Sequence, residues 1–292
     1  MESTPPTPAP PPPSHHLPAE QYRNWLDLPM ELTKNILKRL SVIEILTSAQ
    51  NVCSLWRDIC NGHFMWRTIN MGYFENSRDM PYYDLEDMCR KAVDLSCGHL
   101  VGIKVGRFCT DNLLKYITER YLGLSWCEIS DKGFSEAIAN IPLLDELELS
   151  FCSWTENFLE VVGCSCPHLK SLKLRCDDVY GGDEEGDLSA VAIAENMPGL
   201  VTLHLGGNKL TNNGLLAILN GCPHLQTLKL RRCRRVSLEG DVGRKCSELI
   251  RKNLWLDYSN DHQEFEEISE ADGGYYDNHR ENLGLEYIDN FI

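Results

Sequence analysis

The residues most able to do chemistry are the thirteen cysteines, among which Cys164-Ser-Cys166 is the one close pair. A structural zinc site draws four ligands, usually from two such pairs at fixed spacing, and the second pair is missing. A nucleophilic thiol needs an activating base or cation beside it. No cysteine here has that neighbourhood in sequence, so they are expected to be structural thiols, with no metal, no cofactor and no catalytic residue. Their odd number and the absence of an Asn-x-Ser/Thr sequon fit free thiols in a reducing compartment, nucleus or cytoplasm. Gly206-Gly207-Asn208-Lys209-Leu210-Thr211 lacks the Gly-x-x-x-x-Gly-Lys-Ser/Thr spacing of a phosphate loop and falls where a turn is needed. Arg231-Arg232-Cys233-Arg234-Arg235 has the composition of a nuclear-import signal and equally that of a polar strand end.

The cations are more informative once the elements that hold them are identified. Leu-x-x-Leu-x-Leu recurs at Leu144/Leu147/Leu149, Leu169/Leu172/Leu174, Leu200/Leu203/Leu205 and Leu225/Leu228/Leu230. Leu122/Leu124, a weak first copy Leu100/Ile103/Val105 and a degenerate last copy Leu249/Leu254/Leu256 extend it. Leu122, Leu147 and Leu172 are 25 residues apart, the step to Leu203 is 31, and the step to Leu228 is again 25. The extra six residues fall in the Gly- and acid-rich run Asp177–Asp187, read as a surface loop. The first copy lies only 19 residues before Leu122, about six short of a full repeat. Ser130-Asp-Lys-Gly-Phe134 and Thr211-Asn-Asn-Gly-Leu215 offer capping hydroxyls for return helices, and Cys166-Pro-His-Leu169 and Cys222-Pro-His-Leu225 end them. Strand, turn and helix at a fixed period predict an α/β solenoid arc of about six repeats over residues 85–257, with a parallel sheet on its concave side.

In a Leu-x-Leu strand the residue between the leucines points away from the core. Those residues are Gly123, Glu148, Lys173, His204 and Lys229, and the residues after the second leucine are Ser125, Ser150, Arg175, Gly206 and Arg231. The C-terminal half of the concave sheet is thus expected to be basic in a chain of net charge −15. Pairing of Glu148 with Lys173 on the next strand would account for one lysine and leave Arg175, Lys229 and Arg231 for a ligand. An acidic or phosphorylated segment as ligand suits them. From Asp257 to Ile292 there are eleven Asp or Glu and one Arg, so most of the acidity sits in a C-terminal tail, residues 258–292, expected to be mostly disordered. Nucleic acid and membrane are not expected partners of so acidic a chain with no apolar span. Residues 1–21 hold eight of the fourteen prolines and no apolar run of the kind a secretory signal needs; a solvated tail is expected there.

Residues 24–70 have a denser, amphipathic texture. Pro29 suits a first helical turn; Leu32, Ile36, Leu37 and Leu40 recur at helical spacing as one apolar stripe. Ser41 with Glu44 forms a capping box for a second helix, and Ser54 is placed to cap a third carrying Trp56 and Ile59. Three short helices enclose too little to be stable alone, so a partner or the next domain must complete them. A linker over 71–84 leads to the repeats. The module could be a helical cap closing the solenoid or a docking unit.

The motifs Leu28-Pro29-x-Glu31, Ile36-Leu37-x-x-Leu40 and Val52-Cys53-x-x-Trp56-Arg57, with Trp66, resemble the F-box family. The repeats, with Cys127, Cys152 and Cys233 just after their strands, resemble the cysteine-containing leucine-rich repeats of plant F-box/LRR proteins. The resemblance covers residues 24–257. It implies a substrate receptor of a Skp–cullin–F-box ubiquitin ligase, in which Leu28, Pro29, Ile36, Leu37, Leu40, Val52 and Trp56 include the residues that pack on a Skp-type adaptor and through it join a cullin. A scaffold using the repeats alone and a small-molecule-sensing receptor are the alternatives; the second closes a longer horseshoe than six repeats make.

Overall fold

The computed structural model describes residues 27–72, 83–117, 121–152, 157–176, 187–250 and 252–257. The Pro-rich start, most of the linker, residues 177–186 of the acid-rich run and the acidic tail lie outside the described residues.

Three helices come first: α1 (Met30–Leu37), α2 (Val42–Thr47) and α3 (Ser54–Cys60). Pro29 is the residue before α1, where its missing N–H costs nothing. The Ser41–Glu44 capping box is present in both directions, Glu44 N donating to Ser41 Oγ at 3.3 Å and Ser41 N to Glu44 Oε2 at 2.8 Å. The Ser41 hydrogen bonds also hold the Glu44 carboxyl below its ordinary range. For α3 the cap is Cys53, one residue earlier than expected: its Sγ accepts from Trp56 N at 3.5 Å, and Ser54 is already helical.

The chain then builds one sheet: β1 (Thr68–Met71), β2 (Gly102–Val105), β3 (Tyr121–Ser125), β4 (Glu146–Ser150), β5 (Ser171–Arg175), β6 (Thr202–Gly206), β7 (Thr227–Arg231) and β8 (Asn253–Asp257). The eight strands lie in sequence order and every pairing is parallel. Each return is helical: α4 (Leu85–Leu95), α5 (Asp111–Tyr116), α6 (Asp131–Ala139), α7 (Phe158–Ser165), α8 (Leu188–Asn196), α9 (Asn212–Gly221) and α10 (Asp241–Leu249). The register matches the repeat: Ile103, Leu122, Leu147, Leu172, Leu203, Leu228 and Leu254 are successive partners. Leu172 and Leu203 stay opposite each other across the long step, so the six extra residues do not disturb the ladder. The short first repeat is absorbed in α5, of six residues where its successors α6 to α10 have eight to ten.

The sheet departs from the expected division at its start. β1 runs from the end of the segment assigned to the helical module into the first residue of the assigned linker, and Ile69 and Met71 are buried at 2% and 0% exposure. Trp66, also buried, donates its indole N–H to Cys60 O at 2.7 Å, which ties α3 to the strand entry. The helical module and the arc share one continuous apolar core, from Leu37 to Ile250. The small helical module is therefore completed by the solenoid rather than standing beside it.

The Ser-Asp-x-Gly motif has a second use besides capping. Ser130 and Thr211 cap α6 and α9 as expected. Asp111 of the preceding repeat accepts from Ser130 N at 3.0 Å and Ser130 Oγ at 2.5 Å; Asp187 does the same for Thr211 at 2.9 and 2.5 Å. A Cβ on Gly133 or Gly214 would come within 2.2 Å of those carboxylates. The glycine is the space in which one repeat's carboxylate caps the next.

Candidate functional site: an exposed apolar corner and the open face of the sheet

At the N-terminal end, α1 turns its short buried side, Thr33 and Leu37, into the core. Leu37 is fully buried, so the adaptor-facing role implied for it is not available: its side chain holds the module together. Leu40 and Trp56 are half-buried and pack on the same core. Leu28 is half-buried, while Pro29 is exposed. Ile36 and Val52 are 38% and 61% exposed, joined by Met30 at 53% and Leu32 at 51%. The apolar stripe of α1 therefore splits. Leu37 faces in; Leu32 and Ile36, four apart and on one side of the helix, face out.

On the open face of the sheet the ladder aligns the polar residues in rows. One row runs Asn70, Lys104, Gly123, Glu148, Lys173, His204, Lys229, Trp255. The next runs Ser125, Ser150, Arg175, Gly206, Arg231, Asp257. The structure thus brings together the predicted Glu148, Lys173, Arg175, His204, Lys229 and Arg231 on one face.

The pairing among them differs from the expectation in two places. Glu148 is bound by Lys104, Nζ to Oε2 2.9 Å, rather than by the expected Lys173. The Tyr121 hydroxyl donates to the same oxygen at 3.0 Å. Lys104 reaches across β3, about 10 Å of sheet, because Gly123 stands between them. A Cβ there would lie 2.4 Å from Lys104 Cγ. Arg231, expected to await a ligand, pairs with Asp257 on β8 at 3.4 Å. The last strand thus offsets part of the charge of β7; Lys173, Arg175 and Lys229 are the further cations on these rows.

Sequence reasoning missed the rim beside these rows. Trp126 and Phe151 follow β3 and β4 directly and stack with centroids 4.5 Å apart. The Arg107 guanidinium lies over Trp126 at 5.6 Å and that of Arg175 over Phe151 at 5.5 Å. The signal was available: an aromatic residue follows the last outward strand position in two successive repeats.

The thiols are structural in geometry. Cys127 Sγ donates to Gly106 O at 3.2 Å, Cys152 Sγ to Ser150 O at 3.3 Å, and Cys233 Sγ to Asn208 Oδ1 at 3.0 Å. Cys127 N donates to Cys152 Sγ at 3.3 Å, linking adjacent turns. The hydrogen bond with Cys109 raises the Cys127 thiol pKa, and the bond with Cys127 raises that of Cys152. Burial pushes Cys89 up to about 12 and Cys166, Cys222 and Cys246 to about 11. Thiols held protonated alkylate slowly. In the native protein the exposed Cys97, Cys164 and Cys176 should therefore react first with iodoacetamide, and Cys127, Cys152 and Cys233 only after denaturation. Mass spectrometry of partially labelled protein checks the order; equal native rates for the two groups would contradict the turn geometry. Among the described residues no cluster of His, Cys, Asp and Glu could hold a metal ion.

The F-box-like family matches residues 25–71, and the Leucine Rich repeat family matches residues 198–219. In Arabidopsis thaliana, F-box/LRR-repeat protein 21 is 45% identical over 80% of this chain and 82% of its own length. F-box protein SKIP19 is 47% identical over 78% of this chain and 76% of its own. F-box/LRR-repeat protein 23 is 45% identical over 80% of this chain, which spans about half, 53%, of that relative.

Proposed function

Because this chain belongs to the F-box/LRR-repeat protein family, we propose that it is the substrate-recognition subunit of a Skp–cullin–F-box ubiquitin ligase. The observation that carries this reading is the outward turn of Pro29, Leu32, Ile36 and Val52 on a module whose inner side is fused to the sheet. A monomer that leaves such residues uncovered in so small a module presents a docking surface. A Skp-type adaptor is the occupant the family suggests, with a cullin joined through it. The open sheet face holds the substrate. Its cations, Lys173, Arg175 and Lys229 among them, favour an acidic or phosphorylated protein segment.

The mechanism is proximity. A rigid arc that continues directly from the docking module fixes a bound substrate relative to the scaffold. Its lysines then meet the ubiquitin-charged enzyme at raised effective concentration. The chain contributes no nucleophile in this reading; its buried thiols, held protonated, suit packing better than transfer. The reading places the protein in the nucleus or cytoplasm, where those ligases work.

Proximity labelling with the proteasome blocked tests the whole reading in one experiment. The wild-type chain should label a Skp-type adaptor, a cullin and a set of accumulating proteins. Lys173→Glu with Lys229→Glu should keep the first two and lose members of the third. An unchanged protein set would remove the basic face from substrate binding, and loss of the adaptor from the wild-type labelling would remove the ligase assignment.

A further inference from the structure

Trp126 and Phe151 are half-buried aromatics at the rim of the arc. Neither belongs to the core or packs against it. Both occupy left-handed backbone, with φ of 58° and 55°. The fold imposes that turn on leaving a strand, and the Trp126 and Phe151 amides are locked to the next strand by bonds to Ser150 O at 2.9 Å and Arg175 O at 2.8 Å. At the corresponding position after β6 the residue is Gly207, with φ 65°, for which the conformation costs nothing, and after β7 it is Arg232, which adopts it at φ 58°. For bulky L-residues the same conformation is disfavoured. Two successive repeats thus place large, half-exposed aromatics where glycine fits better and where they contribute nothing to the core. Strained residues that persist in this way concentrate at binding sites.

The side chains are also ordered. Arg107, Trp126, Phe151 and Arg175 form a ladder in which two stacked rings are capped at each end by a guanidinium. A guanidinium laid on a ring is pre-organised, with its N–H edges left to take an oxyanion side-on. The ring edges between them offer apolar area along the rim. We propose that this ladder is a docking site for an extended acidic segment of a substrate protein. An apolar side chain of the segment lies against Trp126 and Phe151, and anionic side chains on either side pair with Arg107 and Arg175. The proposal deepens the receptor reading and rests on it only for the word substrate. Charge complementarity decides the occupant: guanidinium at both ends rejects a basic segment. Carboxylate and phosphate share the required chemistry.

The test is selection from a degenerate peptide library immobilised in two pools, one containing phosphoserine and one only Asp and Glu as anions. The probe protein is the full chain. Wild type should enrich peptides in which anionic positions flank an apolar one, and the pool that enriches tells phosphate from carboxylate. Trp126→Gly with Phe151→Gly should leave the unfolding midpoint unchanged or raise it, because the strained turns gain glycine, yet weaken the selected peptides at least tenfold. Arg107→Gln with Arg175→Gln should weaken them by at least a similar factor through loss of two ion-paired contacts. A flat or basic selection profile would overturn the proposal, as would unchanged affinity in both double variants. A third protein has Glu264, Glu266, Glu267 and Glu270 replaced by Gln. If peptides bind it alone, the occupant is the chain's own acidic tail, and the partner assignment fails. Adaptor binding measured on the same samples keeps the two readings separate, since the ladder can fail while the adaptor binds and the reverse.

Discussion

Replacing Leu28 and Pro29 together by Ala is expected to lower affinity for a Skp-type adaptor about a hundredfold while leaving the fold intact. Each removes a partly or fully exposed apolar group that only a partner would cover. Covering each is worth about 1.5 kcal/mol, and 3 kcal/mol is about two decades in affinity. Leu37→Ala should behave in the opposite way. Leu37 has no exposed surface, so its truncation leaves a cavity and costs about 2–5 kcal/mol of stability. Calorimetric titration with the adaptor, beside urea unfolding of each variant, separates the two effects. Full adaptor affinity in the Leu28/Pro29 variant would remove that corner from the interface.

The second large effect concerns Lys104. Its removal leaves the Glu148 carboxylate, on a residue 7% exposed, with the Tyr121 hydroxyl and without the Nζ that pairs with it. Breaking a largely buried pair on one side costs about 3 kcal/mol or more, because the remaining charge stays desolvated. Lys104→Ala should therefore lower the unfolding free energy by that amount. Adding Glu148→Gln to the same chain should recover most of it. Gly123→Ala should mimic the loss in part, since the new methyl would occupy the path of the lysine stem. Urea denaturation of the four proteins reads this directly. A cost below about 1 kcal/mol for Lys104→Ala would show an ion pair no stronger than a surface one.

The architecture was legible because a repeat states its pairing register many times over. Leu147, Leu172, Leu203 and Leu228 sit opposite one another as the spacing required, and even the short first repeat reduces to a short α5. The face of each outward residue followed from the strand period. Its partner did not, since reach depends on what lies between. Glu148 takes Lys104 across β3 only because Gly123 has no side chain, and Lys104 belonged to the weak copy whose outward residue had not been placed in the row. Arg231 meets Asp257 for a related reason: the degenerate last repeat still forms a full strand. On α1, helical spacing identified Ile36 and Leu37 together but not which faces inward. Packing of α1 on α3 decides that, while β1 and α4 pack on α2 and complete the core of the module. Trp126 and Phe151 were missed because the left-handed turn that sets their position is signalled plainly only where it contains glycine, as at Gly207, so the aromatic that follows the last outward position in two successive repeats was not read as a feature of the turn.

The central claim is that the exposed corner of the helical module binds a Skp-type adaptor. Gel filtration of the purified full chain mixed with a purified adaptor, followed by calorimetry of the same pair, tests it most directly. One co-eluting species of equal stoichiometry, with a dissociation constant of about 1 µM or tighter, is the result this account predicts. Separate elution with no heat of binding, from a chain that unfolds cooperatively and is therefore folded, would contradict it.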